Sequence, residues 1–205
     1  MEEIKIFIHI PKTGGKSLVK SLKNAHRTLE LYKTVGGYVY SENGDDLMDK
    51  IVSCTGVVSL KDGLLFAKQN NYEAIIGNIP AFEVKYLSQS MFQKVSLYCF
   101  LRNPLDRVYS EYCQNLSIGA IDSDISLFLA LTANTQFNLT SGMLDLFEFV
   151  GDFDRYEEDV KKIGLIPFHE NPSGNKKVYP RFDDDAIPYN TLDDMLYKQY
   201  KRLRV

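Results

Sequence analysis

Ile4-Lys-Ile-Phe-Ile-His-Ile10, followed at once by Pro11-Lys-Thr-Gly-Gly-Lys-Ser17, is the stretch that decides the fold. The first half is a nearly continuous apolar run rich in β-branched residues, the pattern of a strand covered on both faces. Pro11 to Gly15 breaks it, and Leu18, Val19, Leu22 and Ala25 then recur at helical spacing. Strand, glycine loop and helix in that order open an α/β domain whose first strand is central and parallel.

The alternation continues along the chain. Thr28 to Thr34 reads as a weak strand, Tyr72 to Gly77 as a short one and Lys94 to Arg102 as a strong one. Asn103 supplies an N-cap and Pro104 the first helical position, with Leu105, Val108, Tyr109, Tyr112 and Leu116 on the buried face. Arg107 and Glu111 form an i,i+4 pair on that helix. Leu146 to Val150 reads as another strand, and Asp154 with Glu157 as the capping box of a helix ending before Gly164. Phe168 to Tyr189 turns to Asn, Pro, Gly, Lys and Asp, a composition expected of a functional loop or lid outside the core. Thr191 and Asp194 cap a last helix, whose Lys201, Arg202 and Arg204 suit the negative end of its dipole. The expected architecture is a P-loop-like three-layer α/β fold, a central parallel sheet flanked by helices, in one domain spanning residues 1–205.

Composition excludes several classes. With 205 residues, 44% of them hydrophobic, the chain can bury a sizeable core. The net charge of -3 leaves no basic excess for a nucleic-acid backbone, so any polyanion has to be held locally. Cys54, Cys99 and Cys113 are scattered without metal-type spacing and read as free thiols in a reducing compartment. Acids precede a short apolar run that stops at Pro11, unlike a secretory signal or a membrane span, so a cytoplasmic protein that engages no membrane is expected. On that expectation the sequons at Asn115 and Asn138 stay unmodified.

Lys12, Thr13, Gly14, Gly15, Lys16 and Ser17 have the chemistry of an anion cradle. The glycines let backbone amides turn inward, a helix N-terminus adds positive potential, and two lysines and two hydroxyls surround it. The ordinary alternative, a tight turn with solvated lysines, is disfavoured because strand, loop and helix all fall where a phosphate loop needs them. Gly15-Lys16-Ser17 ends like a Walker A loop, but Ile10 stands where that loop begins with glycine. The strand that would end in a metal-holding Asp ends in Arg102 instead, a residue for an anion.

His9-Ile-Pro-Lys-Thr-Gly-Gly-Lys-Ser17 resembles the HIPKTGGTS loop of carbohydrate-type sulfotransferases that use 3′-phosphoadenosine 5′-phosphosulfate (PAPS). Leu101-Arg-Asn-Pro-Leu-Asp-Arg-Val-Tyr-Ser-Glu-Tyr112 resembles their second signature, LRDPLERxxSxY. Looser echoes are IIGNIP at 75–80, NTQFN at 134–138 and VGDFDRYE at 150–157. The resemblance implies that the first loop holds the 5′-phosphosulfate, with Lys12 the catalytic lysine that neutralises charge on the bridging oxygen as the sulfuryl group departs. Thr13, Gly14, Gly15, Lys16 and Ser17 match the cradle, with Lys16 where the family has Thr. Arg102 and Ser110 match the pair that grips the 3′-phosphate, and Lys176 and Lys177 resemble the late basic loop that closes over the nucleotide. No metal is implied.

These enzymes deprotonate an acceptor hydroxyl with His or Glu, often from a GH at the end of the strand that here reads Ile76-Gly77-Asn78. Asn78 cannot act as a base. Glu42, Asp62, Glu83 and His169 are the candidate substitutes, each with a solvated surface role as the commoner alternative. His9 is expected to be packed beneath the loop, and His26 to cap or solvate the end of the first helix. The expected function is sulfuryl transfer from PAPS to a hydroxyl of a saccharide, lipid or small metabolite, leaving 3′,5′-ADP. The competing expectations are a non-catalytic module that binds PAPS or 3′,5′-ADP, which Asn78 favours, and a P-loop kinase, which GGKS favours and Ile10 and Arg102 oppose.

Overall fold

The computed structural model describes residues 3–41, 56–121, 125–169 and 179–204. Its strands are β1 (Glu3–Ile8), β2 (Thr28–Thr34), β3 (Gly37–Ser41), β4 (Ala74–Gly77), β5 (Lys94–Leu101) and β6 (Phe149–Asp152). The helices are α1 (Gly15–Ala25), α2 (Leu60–Gln69), α3 (Ala81–Gln89), α4 (Pro104–Ser117), α5 (Ile125–Leu131), α6 (Thr135–Thr140), α7 (Tyr156–Lys162), α8 (Asp183–Ala186) and α9 (Thr191–Leu203).

The strands form one six-stranded sheet in the order β3-β2-β4-β1-β5-β6, parallel except for β3. Period-2 alternation along β1 sends Ile4, Ile6 and Ile8 to one face and Phe7 to the other, and all four are buried. The isoleucine face packs with Leu60 and Leu64 of α2, Val84 of α3 and Leu196 of α9. The Phe7 face packs with Leu18 and Leu22 of α1 and Val160 of α7. Helices thus cover both faces, giving a three-layer α/β fold with β1 at its centre. No helix among the described residues is long and apolar enough to cross a membrane.

Several boundaries differ from expectation for identifiable reasons. β1 ends at Ile8, because His9 and Ile10 already belong to the loop. β3 is an added antiparallel edge, reversed through Gly36 at φ 86° and Gly37. The last strand runs Phe149–Asp152 rather than Leu146–Val150, since Leu144–Leu146 forms a 3₁₀ turn that buries Leu144. Asp154 caps nothing: Asp152 accepts from the Asp154 amide to open a 3₁₀ turn, and α7 follows it without a side-chain cap. The polar stretch Phe168 to Tyr189, where described, is not wholly outside the core. Phe182 and Ala186 are buried against Val108, Tyr112 and Phe128. Lys201 and Arg204 do more than face a dipole, since Lys201 pairs with Asp152, and Arg204 with Asp152 and Asp159, tying α9 to β6 and α7.

The N-terminus of α9 is capped from outside. Asn134 Oδ1 accepts from the Leu192 and Asp193 amides, while the Asp193 carboxylate accepts from the Gln136 and Phe137 amides of α6, so the two helices cap each other. Thr191 instead bonds back to the Pro188 carbonyl, and Asp194 pairs with Lys198. Arg107 does pair with Glu111 as expected. It is also fully buried, reaching the Thr132 carbonyl and standing 3.9 Å from Asp193.

Gly77 closes β4 where the sheet leaves no room for a side chain: a Cβ there would lie 1.5 Å from the Leu31 carbonyl oxygen. Gly77→Ala should therefore destabilise the protein by about 3 kcal/mol, through forced separation of β2 and β4. Gly164→Ala meets no neighbour within 4 Å and pays only for its φ of 77°, about 1 kcal/mol. Urea unfolding of both variants checks this, and equal midpoints would contradict the close strand contact.

Candidate functional site

β1, β4 and β5 lie side by side and parallel, so the segments that leave their C-terminal ends meet along one edge of the sheet. Chain reversal between flanking helices at such an edge leaves a crevice suited to ligands. The segment leaving β1 is the Pro11–Ser17 loop, and the one leaving β5 carries Arg102 and α4.

The loop is held from below and from its sides. The His9 amide donates to the Gly77 carbonyl at 2.7 Å, fixing the loop base to β4. Thr13 is buried and donates its hydroxyl to the Ile10 carbonyl at 2.8 Å, closing the turn. Lys12 adopts φ 68°, a left-handed conformation unfavourable for a side-chain-bearing residue. Gly14, at φ 87°, is the residue before α1, and that helix has no side-chain cap and no acid in its first turn. Gly14 is favoured by its left-handed φ as well as by close neighbours, and Gly15 by lack of room. A Cβ at Gly14 would approach Tyr156 to 3.1 Å, and one at Gly15 would fall 1.8 Å from His9 Nε2.

Two residues from the β5 side fasten Lys12. Arg102 Nη1 donates to the Lys12 carbonyl at 3.1 Å, and Lys12 Nζ donates to Gln114 Oε1 at 2.7 Å. Ser110 precedes Gln114 by four residues, slightly over one turn of α4, and so shares its loop-facing side. The structure therefore brings Lys12, Arg102 and the Ser110 face of α4 together. Ser110 and Lys16 form no hydrogen bond or ion pair among the described residues, and Lys16 is exposed on the first turn of α1.

Arg102 is half-buried, and burial pulls its guanidinium below the ordinary value, with Asp106 and Asp154 acting in the opposite sense. Its plane lies 4.5 Å over the Phe153 ring. Phe153, between β6 and α7, and Tyr156, the first residue of α7, thus wall the loop. Sequence reasoning missed them as site residues, along with Gln114 and Gln136. The available signals were the i,i+4 relation of Gln114 to Ser110 and the aromatic pair in VGDFDRYE.

The candidate bases separate. Asp62 is exposed and exchanges hydrogen bonds with Ser59 as the N-terminal cap of α2. His169 binds Glu157 at 2.9 Å with its ring edge toward Tyr156, beside α7. Glu83 lies in the first turn of α3, directly after the Asn78 segment, and accepts from the Tyr38 hydroxyl at 3.4 Å. Asn78 itself is half-buried at the end of β4. Glu42, Lys176 and Lys177, like Cys54, lie outside the described residues. His26 is remote, accepting from Lys5 at the opposite edge of the sheet.

Scans of the sequence against models of known protein families and against curated proteins find no match.

His9 carries a pH consequence. Burial first, and the charge of Lys12 second, push its imidazole down to about 4, so it stays neutral under Gly15. The unfolded chain takes up this proton near 6.5 and the folded chain only near 4, so stability from this site is intact above 6.5 and lost as pH falls between them. The loss is on the order of 2 to 3 kcal/mol. His9→Gln should flatten the fall in unfolding midpoint across that window, measured by urea titration at several pH values. A variant as acid-sensitive as the wild type would contradict a buried neutral imidazole.

Proposed function

We propose that this chain binds PAPS and transfers its sulfuryl group to a hydroxyl acceptor. The observation that carries the reading is the Arg102 contact to the Lys12 carbonyl. It puts a guanidinium, held by a neutral carbonyl and a phenyl face, beside a glycine loop at the start of α1. The resemblance of both motifs to the PAPS-dependent sulfotransferases then gives each group a role. The loop and α1 take the phosphosulfate, Arg102 and Ser110 take the 3′-phosphate, and Lys12 meets the bridging oxygen.

In the transfer step the acceptor oxygen attacks sulfur in line, the bond from sulfur to the bridging oxygen breaks, 3′,5′-ADP leaves with that bond's electron pair, and the acceptor hydroxyl releases its proton to a carboxylate or to water. Lys12 lowers the barrier because the charge on the bridging oxygen grows only as the bond breaks. Gln114 holds the ammonium at the loop mouth. Positioning both reactants replaces a bimolecular encounter by an oriented one. The acceptor side belongs to the segment after β4, where Asn78 supplies no base and Glu83 is the first acid that follows it along the chain.

The second reading, a non-catalytic module that senses PAPS or 3′,5′-ADP, is favoured by Asn78. The kinase reading is opposed by Arg102 at the end of β5. It is opposed also by the engagement of Asp152, at the end of β6, with Lys201 and Arg204.

Calorimetry should find that 3′,5′-ADP binds without added metal and about 10- to 100-fold more tightly than ADP, the scale of a charge-assisted contact of ~1.5 to 3 kcal/mol. Arg102→Ala should remove that preference, whereas Lys12→Ala should depress turnover far more than 3′,5′-ADP binding. Equal affinity for the two nucleotides, or a requirement for Mg²⁺, refutes the donor assignment.

Asn78→His tests the acceptor side. Native protein should favour phenols, which ionise readily, over alcohols. An imidazole at position 78 should raise transfer to alcohols roughly 100-fold and lose the gain as pH falls below about 6.5. If histidine brings no gain and Glu83→Gln abolishes native transfer, the base is Glu83. Absence of transfer from every form, with 3′,5′-ADP binding intact, selects the sensing module.

A further inference from the structure

We propose that Gln136 is the positioning residue that sets Arg102 for recognition of the 3′-phosphate, an inference that rests on the donor reading above. β5 ends at Leu101, whose partner in β6 is Asp152. One residue later the backbone of Arg102 has left the ladder, because Asn103 and Pro104 turn the chain into α4. The side-chain amide of Gln136 replaces the missing strand. The Arg102 amide donates to Gln136 Oε1 at 2.9 Å, and Gln136 Nε2 donates to the Arg102 carbonyl at 2.9 Å. A primary amide carries its acceptor and its donor on separate atoms, so it can meet the N–H and the C=O of one residue at once. Pinning both fixes the direction in which the Arg102 side chain leaves the backbone.

The clamp is itself immobilised. Gln136 is fully buried, and the amides of Gln136 and Phe137 are held by Asp193. Asp193 is buried too, which raises its carboxyl above the usual range, and Arg107 stands 3.9 Å away as the opposing charge. Asn134 returns the favour to the Leu192 and Asp193 amides. α9 therefore reaches the sheet edge through Asp193, Gln136 and Arg102. The guanidinium at the end of this chain is the one group in it that faces the loop, stacked on Phe153 and bonded to the Lys12 carbonyl.

Precise placement is where this matters. A guanidinium recognises phosphate through a planar fork, so a shift of its root misdirects both donors. A chain held only at its tip by Phe153 and Lys12 could swing when the ligand arrives. Holding the root as well restricts the change to the side-chain torsions.

The test compares the ratio of 3′,5′-ADP to ADP affinity, by calorimetry, in wild type, Gln136→Met, Gln136→Glu and Leu64→Ala. Gln136→Met keeps the length and removes both hydrogen bonds, and it should cut the preference for 3′,5′-ADP at least about fivefold, with ADP affinity little changed. Leu64→Ala empties a fully buried site on α2, and should lower the thermal midpoint without moving the ratio. The carboxylate introduced by Gln136→Glu still accepts from the Arg102 amide but offers no donor to the Arg102 carbonyl, so its ratio should also fall below that of wild type. A wild type with no preference overturns the donor reading and this inference together. A wild-type preference that survives Gln136→Met, that falls equally in Leu64→Ala, or that is unchanged in Gln136→Glu overturns the inference alone.

Discussion

The hydrogen bond from Arg102 to the Lys12 carbonyl joins the ends of two neighbouring strands, and the architecture of the edge depends on it. β1 and β5 run parallel, Ile8 opposite Cys99, and although β5 continues to Leu101 both chains leave the sheet at its same end. Without a tie the two exits would diverge, one into α1 and the other into α4. Lys12 has to turn left-handed to present its carbonyl there, a conformation that is unfavourable unless something holds it. Arg102 supplies that hold, Gln114 fixes the far end of the same lysine, and Gly14 and Gly15 allow Tyr156 and His9 to close on the loop from opposite sides.

Partner chemistry separates Arg102 from the other two arginines that are buried or half-buried among the described residues. Arg107 meets Glu111 and stands near Asp193, and Arg204 meets Asp152 and Asp159. Hydrogen bonds from the Asp152 amide, Lys162 and Arg204 hold the Asp159 carboxyl below the usual range, although burial works against them. In a chain with net charge -3 an arginine has acids to choose from. Arg102 takes a carbonyl and an aromatic face instead, and no carboxylate lies within ion-pair distance of it among the described residues. Neutral partners orient a cation without cancelling its charge, which is the arrangement an anion site requires.

Much of this was legible in the sequence, and the reasons differ by element. Thr28–Thr34 and the Asn103-Pro104 helix start were readable because both rest on local rules: Leu29 and Leu31 alternating with polar or amphipathic residues, a capping side chain, and a proline where no amide is needed. The helix caps further on were not readable from neighbours. Asp154 and Asp194 sit at sensible positions, but Asp152 and Asn134 do the capping, the latter from a segment about 58 residues away along the chain. Phe182 and Ala186 were hidden by polar surroundings, since two apolar residues in an acidic stretch carry no period. At the site, glycine spacing and Arg102 stood out. Gln136 did not, because an amide that mends a broken strand ladder is defined by the backbone it meets.

The residue at the end of β5 also sets what kind of ligand chemistry the edge supports. A carboxylate there would recruit a divalent cation, and the ion would then neutralise the phosphates. A guanidinium repels such an ion and takes the anion itself, so charge neutralisation falls to protein groups of fixed geometry. Water or a hydrated metal adjusts freely to a ligand, whereas an arginine rooted by Gln136 and stacked on Phe153 has only its side-chain torsions with which to do so. The site as proposed therefore trades adaptability for orientation. Selectivity for a 3′-phosphate then depends less on total positive charge than on how rigidly one side chain is anchored behind the loop.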